Sequence, residues 1–351
     1  MNIYVVGLNG IEDIIETFES VIWNVQFFGK SDLQMKLPGT EKNINLLQTG
    51  VYLVREDDIS DNEYHNVMMI ENRQIDFDSE KGWILTVTGK GLKNIVGYRV
   101  VWQQTFITGL IEDAIREIIT DNIISPADSN RAIENFVLDE PRGYTDEFEI
   151  QLLGENIADW LESIGETFGI GWDVFIKNGN YVFTIKKGAN RTFSQNINVP
   201  VVFSPEYDNL ASSTYKYTKG DYKNAALIGG EGNGDNQRVT SVGTTTGLNR
   251  YELYVDGQSV SSNGEIITDE TYIGMLQDFG REELAKTSYI TNVDGTIIPN
   301  VMYKLNEDYF LGDLVQIQNV GISAKSRIIE IIYSEDESGS VIVPTFSNWE
   351  V

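Results

Sequence analysis

The chain has 351 residues, no Cys and one His, and its 26 basic against 53 acidic residues give a net charge of -27. That length holds about two or three domains, with a core that needs no disulfide or metal staple. The missing Cys excludes Cys-based zinc sites and Cys nucleophiles, the acidity argues against a phosphate-gripping or anionic-membrane face, and no run reaches the ~20 apolar residues of a membrane span.

The opening reads as β-structure. Residues 3–6 are a short apolar run, and 32–37 alternate polar and apolar until Pro38-Gly39. Strict alternation puts one face in a core and the other in water. Residues 51–54 follow Gly50, an acidic loop spans 57–66, and strands are predicted around 68–77 and 83–88 across Ser79-Glu80-Lys81-Gly82. From 109 to 124 the pattern turns helical, with Leu110, Ile111, Ala114, Ile115, Ile118 and Ile119 on one stripe. Ser125-Pro126-Ala127-Asp128 predicts the cap and first turn of a second helix. Ile157, Trp160, Leu161, Ile164 and Phe168 form another stripe, with Asp159, Glu162 and Glu166 opposite. Asn178-Gly179 between alternating runs at 169–176 and 181–185 is a strong hairpin signal. Strands follow at 215–217, 225–228 and 251–255, a helical stretch lies within 268–286, and strands close the chain at 313–317, 327–333 and 341–345.

Two stretches resemble each other. Gly50-Val51-Tyr52-Leu53, Met69-Ile70-Glu71 and Asp78 to Val87 run parallel to Gly312-Asp313-Leu314-Val315, Ile328-Ile329-Glu330 and Asp336 to Val343. The reading is a mainly β fold with an α+β insert. A first β-barrel-like domain is expected over 1–100, an α+β domain over 101–192, and a second β-barrel-like domain with hairpin and helix insertions over 193–351. The two barrels are candidate duplicates.

The search for chemistry finds little. Gly29-Lys30-Ser31 lacks the first Gly of a P-loop, since Asn24 stands there, and Gly230-Glu231-Gly232-Asn233-Gly234-Asp235 lacks the third Gly of a dinucleotide fingerprint. The loop at 57–63 lacks the mid-loop Gly of an EF-hand, and Asn292-Val293-Asp294-Gly295 reads as a turn. His65 has no Gly-x-Ser-x-Gly elbow to serve. A glycosidase needs one carboxyl raised in an apolar cleft, whereas Asp159, Glu162 and Glu166 sit on the polar helix face. Catalytic, cofactor-binding and metal residues are therefore all expected to be none.

Ile3-Tyr4-Val5, the 33–38 strand, Gly89-Lys90-Gly91-Leu92 leading to Tyr98-Arg99-Val100-Val101, the 109–124 helix, Trp160 before Gly169-Ile170-Gly171-Trp172, and Tyr309 to Val315 before Arg327 to Glu330 and Pro344-Thr345-Phe346 form an ordered series. That series resembles the tail-tip hub proteins of long-tailed phages and prophages of Gram-positive hosts, relatives of contractile-tail baseplate hubs. The resemblance implies a virion structural protein without enzymatic activity, assembled in the host cytoplasm. It implies a homotrimer whose paired barrels make a pseudo-sixfold ring. Its expected partners are the tail tube or distal tail protein, a tip spike or fibre, and DNA that passes through the lumen unbound. Many relatives carry a C-terminal hydrolase or receptor-binding extension, whereas this sequence ends at Val351. The alternatives are a carboxylate-dependent cell-wall hydrolase and a receptor- or glycan-binding module. An acidic lumen would repel phosphates, and the loops at 57–63 and 336–337 are the first candidates to line it.

Overall fold

The alternation of the first hundred residues becomes β1 (Ile3–Gly7), β2 (Gly10–Ile15), β3 (Ser20–Gln26), β4 (Asp32–Pro38), β5 (Tyr52–Arg55), β6 (Met68–Asp78) and β7 (Gly82–Gly91). The computed structural model describes residues 1–261, 268–287, 290–298, 301–319 and 321–346. In β4, Leu33, Met35 and Leu37 are buried while Asp32 and Gln34 face water. Between β4 and β5, Thr40 caps a short helix, α1 (Glu41–Leu46), by accepting from the Asn43 N–H at 3.2 Å.

The middle of the chain is the α+β insert: β8 (Thr105–Leu110), α2 (Ile111–Ile119), β9 (Glu147–Leu152), α3 (Ile157–Phe168), β10 (Ile170–Lys177) and β11 (Asn180–Lys187). Gly109 and Leu110 end β8 rather than open the helix, and the apolar stripe continues past α2 through a wide turn, Thr120–Ile124. The helix predicted from Ser125 is only one tight turn, Ser129–Arg131. Asp128, not Ser125, caps it by accepting from the Asn130 N–H at 3.0 Å. Asn156 caps α3, and Gly169 ends it at φ 67°. Asn178 and Gly179 take φ 50° and 80°, the positive pair that a two-residue hairpin turn needs.

The last part holds β12 (Leu210–Thr218), β13 (Ala225–Gly229), β14 (Val239–Val242), β15 (Glu252–Asp256), α4 (Asp269–Ala285), β16 (Ile290–Ile297), β17 (Leu314–Asn319), β18 (Ile322–Asp336) and β19 (Gly339–Phe346). The 292–295 segment lies inside β16, paired with β12, and so is strand where the sequence suggests a turn. β13, β14, β15 and α4 enclose their own small core around Ile228 and Leu276 and are inserted between β12 and β16.

Among the described residues, twelve strands form one sheet, with β17-β18-β3-β4-β7-β6-β5-β1-β2 along its path and β19 beside β18. β18 pairs with β3, so the first and last parts of the chain share that sheet and one apolar core, in which Leu53, Met68 and Val87 join Val315, Ile317 and Ile328. The chain is mainly β with an α+β insert, as expected, but no hydrogen-bonded barrel closes among the described residues.

The suspected duplication is visible in the backbone bonds. Gly50 N donates to Ile70 O at 2.7 Å and Ile70 N to Val51 O at 3.0 Å; Gly312 N donates to Ile328 O at 2.8 Å and Ile328 N to Asp313 O at 3.0 Å. Both glycines take positive φ, 86° and 96°, a conformation that a side chain strains. β6–β7 has a bulge between Ile70 and Asn72, and β18–β19 has one between Ile328 and Glu330. The turns then begin at Asp78 and Asp336, each accepting from N–H groups of its own turn. The sequence comparison sets Ile70 on Ile329. The bonds set it on Ile328, because the unpaired bulge residue that follows is Glu71 in one hairpin and Ile329 in the other, so the two Ile-Glu pairs do not correspond.

Candidate functional site

The acidic loop turns one of its carboxylates inward, onto an arginine. Asp58 is buried and paired with Arg55 at 2.6 Å, and it accepts from Asn66 at 2.6 Å. Burial pushes its carboxyl up, against the pull of Arg55. The Arg55 guanidinium also lies 3.4 Å from the centre of the Tyr333 ring, so this loop ties β5 to β18. The segment 59–64 forms a small hairpin that pairs with β10. His65 stacks on Phe175 at 4.5 Å and bonds Glu63 at 3.2 Å. Glu63 also holds Lys177 at 2.5 Å, and its carboxyl is held below the usual range, first by Lys177. Among the described residues no group of three or more acids or His is placed to hold a metal ion.

The loop at 57–63 and the tip at 336–337 do not occupy matching places. The tip equivalent to Asp336 is Asp78, and the 57–63 loop follows β5 instead. Both tip carboxyls are held below the usual carboxylate range, Asp78 by the N–H groups of Lys81 and Glu80, and Asp336 chiefly by the Ser338 hydroxyl. Gly29 and Lys30 lie in the turn between β3 and β4, where Lys30 pairs with Asp159.

A cleft of about 430 Å³ lies between β9, α3 and α4, walled by Phe148, Trp160, Phe168 and Phe279. Glu149 lines it, and its carboxyl is raised by burial and then by Asp278. Glu166, on the helix face read as solvated, is raised by burial and then by Glu162.

What the sequence did not disclose is an open sheet edge. β6 pairs with β7 along its length, but on its other side β5 reaches only Met68 and Met69. Among the described residues no strand lies beside 72–78 on that side. The equivalent span of β18, 330–336, is paired on both sides, with β19 and with β3. The two hairpin ends also differ in chemistry. Phe77 and Trp83 pair at 5.0 Å and are 64% and 56% exposed, whereas the equivalent Glu335 and Ser340 bond each other at 2.8 Å and Glu335 holds the amino group of Met1.

Residues 8–347 match the model of the Siphovirus ReqiPepy6 Gp37-like protein family. The chain belongs to that family. No curated protein matches it in sequence. Its fold is similar to that of the 43 kDa tail protein of prophage MuSo2 from Shewanella oneidensis, at 12% identity and TM-score 0.60, over 99% of this chain and 98% of that one. It is similar to the tail protein from Neisseria meningitidis MC58, at 14% identity and TM-score 0.57, over 99% and 95% of the two chains. It is also similar to prophage tail protein gp18 from Listeria monocytogenes EGD-e, at 13% identity and TM-score 0.57, over 100% and 96%. The expected resemblance to phage tail proteins is borne out by the family, and the expected fold class by these folds. Among the described residues no helix is long and apolar enough to cross a membrane.

Proposed function

We propose that this chain is the structural hub of a phage tail tip: a homotrimer whose two equivalent β units alternate in a pseudo-sixfold ring, joining the tail tube to the distal tip. The observation that carries this reading is the internal repeat, because three copies of a duplicated unit match a six-membered tube end. The ring serves as a passage rather than an enzyme. DNA crosses it without being held, which the excess of 53 acidic over 26 basic residues favours. Its partners are the tube or distal tail protein on one side and a spike or fibre on the other, in a particle assembled in the host cytoplasm.

Mixing the purified chain with tail-tube protein tests this. Tube ends capped by a ring in negative stain are expected, and bare tube ends at saturating protein would contradict the proposal. The wall-hydrolase alternative has one physical footing, Glu149 with its raised carboxyl in the cleft. Zymography on Gram-positive cell walls is expected to show no clearing. Clearing abolished by Glu149→Gln would favour the hydrolase instead.

A further inference from the structure

An open β edge invites another strand, and folded proteins cover or fill such edges. In the second unit the edge is filled from within, since β3 lies antiparallel on β18 with Gln26 opposite Glu330 and Ser20 opposite Asp336. β3 reaches that position through β4, which pairs with β7 of the first unit. The first unit therefore reads β5-β6-β7-β4-β3 across the sheet.

The second unit has a similar order, with one step made by packing instead of hydrogen bonds. β17, β18 and β19 correspond to β5, β6 and β7, β16 packs beside β19 without a ladder among the described residues, and β12 pairs with β16 in a sheet of two. Chain order agrees as well, with β12 and β16 preceding β17 as β3 and β4 precede β5. β12 is thus the counterpart of β3, and among the described strands it pairs only with β16. β3 fills the edge of β18 in its own chain. The strand that would fill the same edge of β6 is β12, which belongs to the far end of the repeat and must come from a second copy.

Resting on the ring reading above, we propose that the 72–78 edge of β6 receives β12 of a second copy of this chain, antiparallel, as β3 is received by β18. Placing Leu33 and Leu37 of β4 on Val293 and Ile297 of β16 carries Ser20–Gln26 onto 212–218. Asn72 then lies opposite Thr218 of the neighbour, Asp76 opposite Thr214, and Asp78 opposite Ser212. Main-chain bonds between strand edges supply the affinity, as in other strand-addition complexes. The contact is head-to-tail, and it repeats once per copy until the ring closes.

The chain has no Cys, so engineered thiols report only the intended pair. Asp76→Cys protein is mixed with Thr214→Cys protein, and the oligomeric fraction is treated with a short bismaleimide. Unchanged thermal melting checks that both variants fold. The expected result is a shift from a one-chain to a two-chain band in the mixture, absent when Asp76→Cys is mixed with Thr240→Cys on β14. Thiols at 212 and 216 are run alongside to catch a register two residues away. Oligomers that form without a two-chain band at 212, 214 or 216 would overturn the edge pairing and leave the ring reading standing. A protein that stays monomeric at every concentration and with tube protein present would overturn both.

Discussion

Lys93 offers a test of how the β sheet is joined to the α+β insert. It is 3% exposed, follows β7, and donates to the Gln26 carbonyl at 2.9 Å beneath the Trp172 ring, whose centre is 4.3 Å from its Nζ. No carboxylate bonds its amine among the described residues; Asp173 and Glu162 act on it only from a distance, opposed by Lys186. Burial pulls its pKa down from 10.5 to about 7. The folded state thus prefers the neutral amine, and above pH 7 the unfolded chain binds a proton that the folded chain does not. Stability contributed through this group therefore rises with pH from about 7 to 10.5, and the cost of burying the charge is fully present below pH 7. The slope is about 1.4 kcal/mol per pH unit, with a ceiling of roughly 5 kcal/mol across the window. Lys93→Met keeps the stem and removes the titration. Urea unfolding of both proteins from pH 6.5 to 9.5 cancels the remaining groups. The stability of the native protein relative to the variant should climb steadily through that range, and a flat difference would refute the reasoning.

The two repeat glycines separate backbone strain from crowding. Gly50→Ala meets open space and carries only the positive-φ strain of about 1–2 kcal/mol, whereas at Gly312 a Cβ would lie 2.2 Å from the Phe27 ring and add an overpacking cost of ~1–3 kcal/mol. Thermal melts should show the larger drop for Gly312→Ala; equal drops would contradict the geometry. Changing Glu80 and Glu337 to Lys alters exposed residues at the hairpin ends and should cost within ~0.5 kcal/mol each. If these ends border the channel, ejection should slow most at low ionic strength, where screening is weakest. Unchanged ejection from normally assembled particles would place them elsewhere.

Much of this fold was legible where one local signal sufficed. The 32–37 alternation, the Trp160 stripe and the Asn178-Gly179 turn all match their elements. β3 was missed because Ile22 is exposed on a strand whose Val21, Trp23, Asn24 and Val25 are all buried, which breaks the alternation. The 292–295 segment carries turn residues, but pairing with β12 overrides that preference. Repeat similarity was visible, yet its register slipped by one at a bulge, which only hydrogen bonds locate. The open edge of β6 is a property of which strands meet, and its faint trace in the sequence is an apolar run at 51–54 far shorter than the strand it adjoins.

The central claim is that this chain closes a ring of three around the DNA path. Light scattering of the purified protein, alone and with tail-tube protein, measures the copy number directly. The account predicts a complex of three chains with a central hole in the matching micrographs. A single chain under both conditions would contradict it.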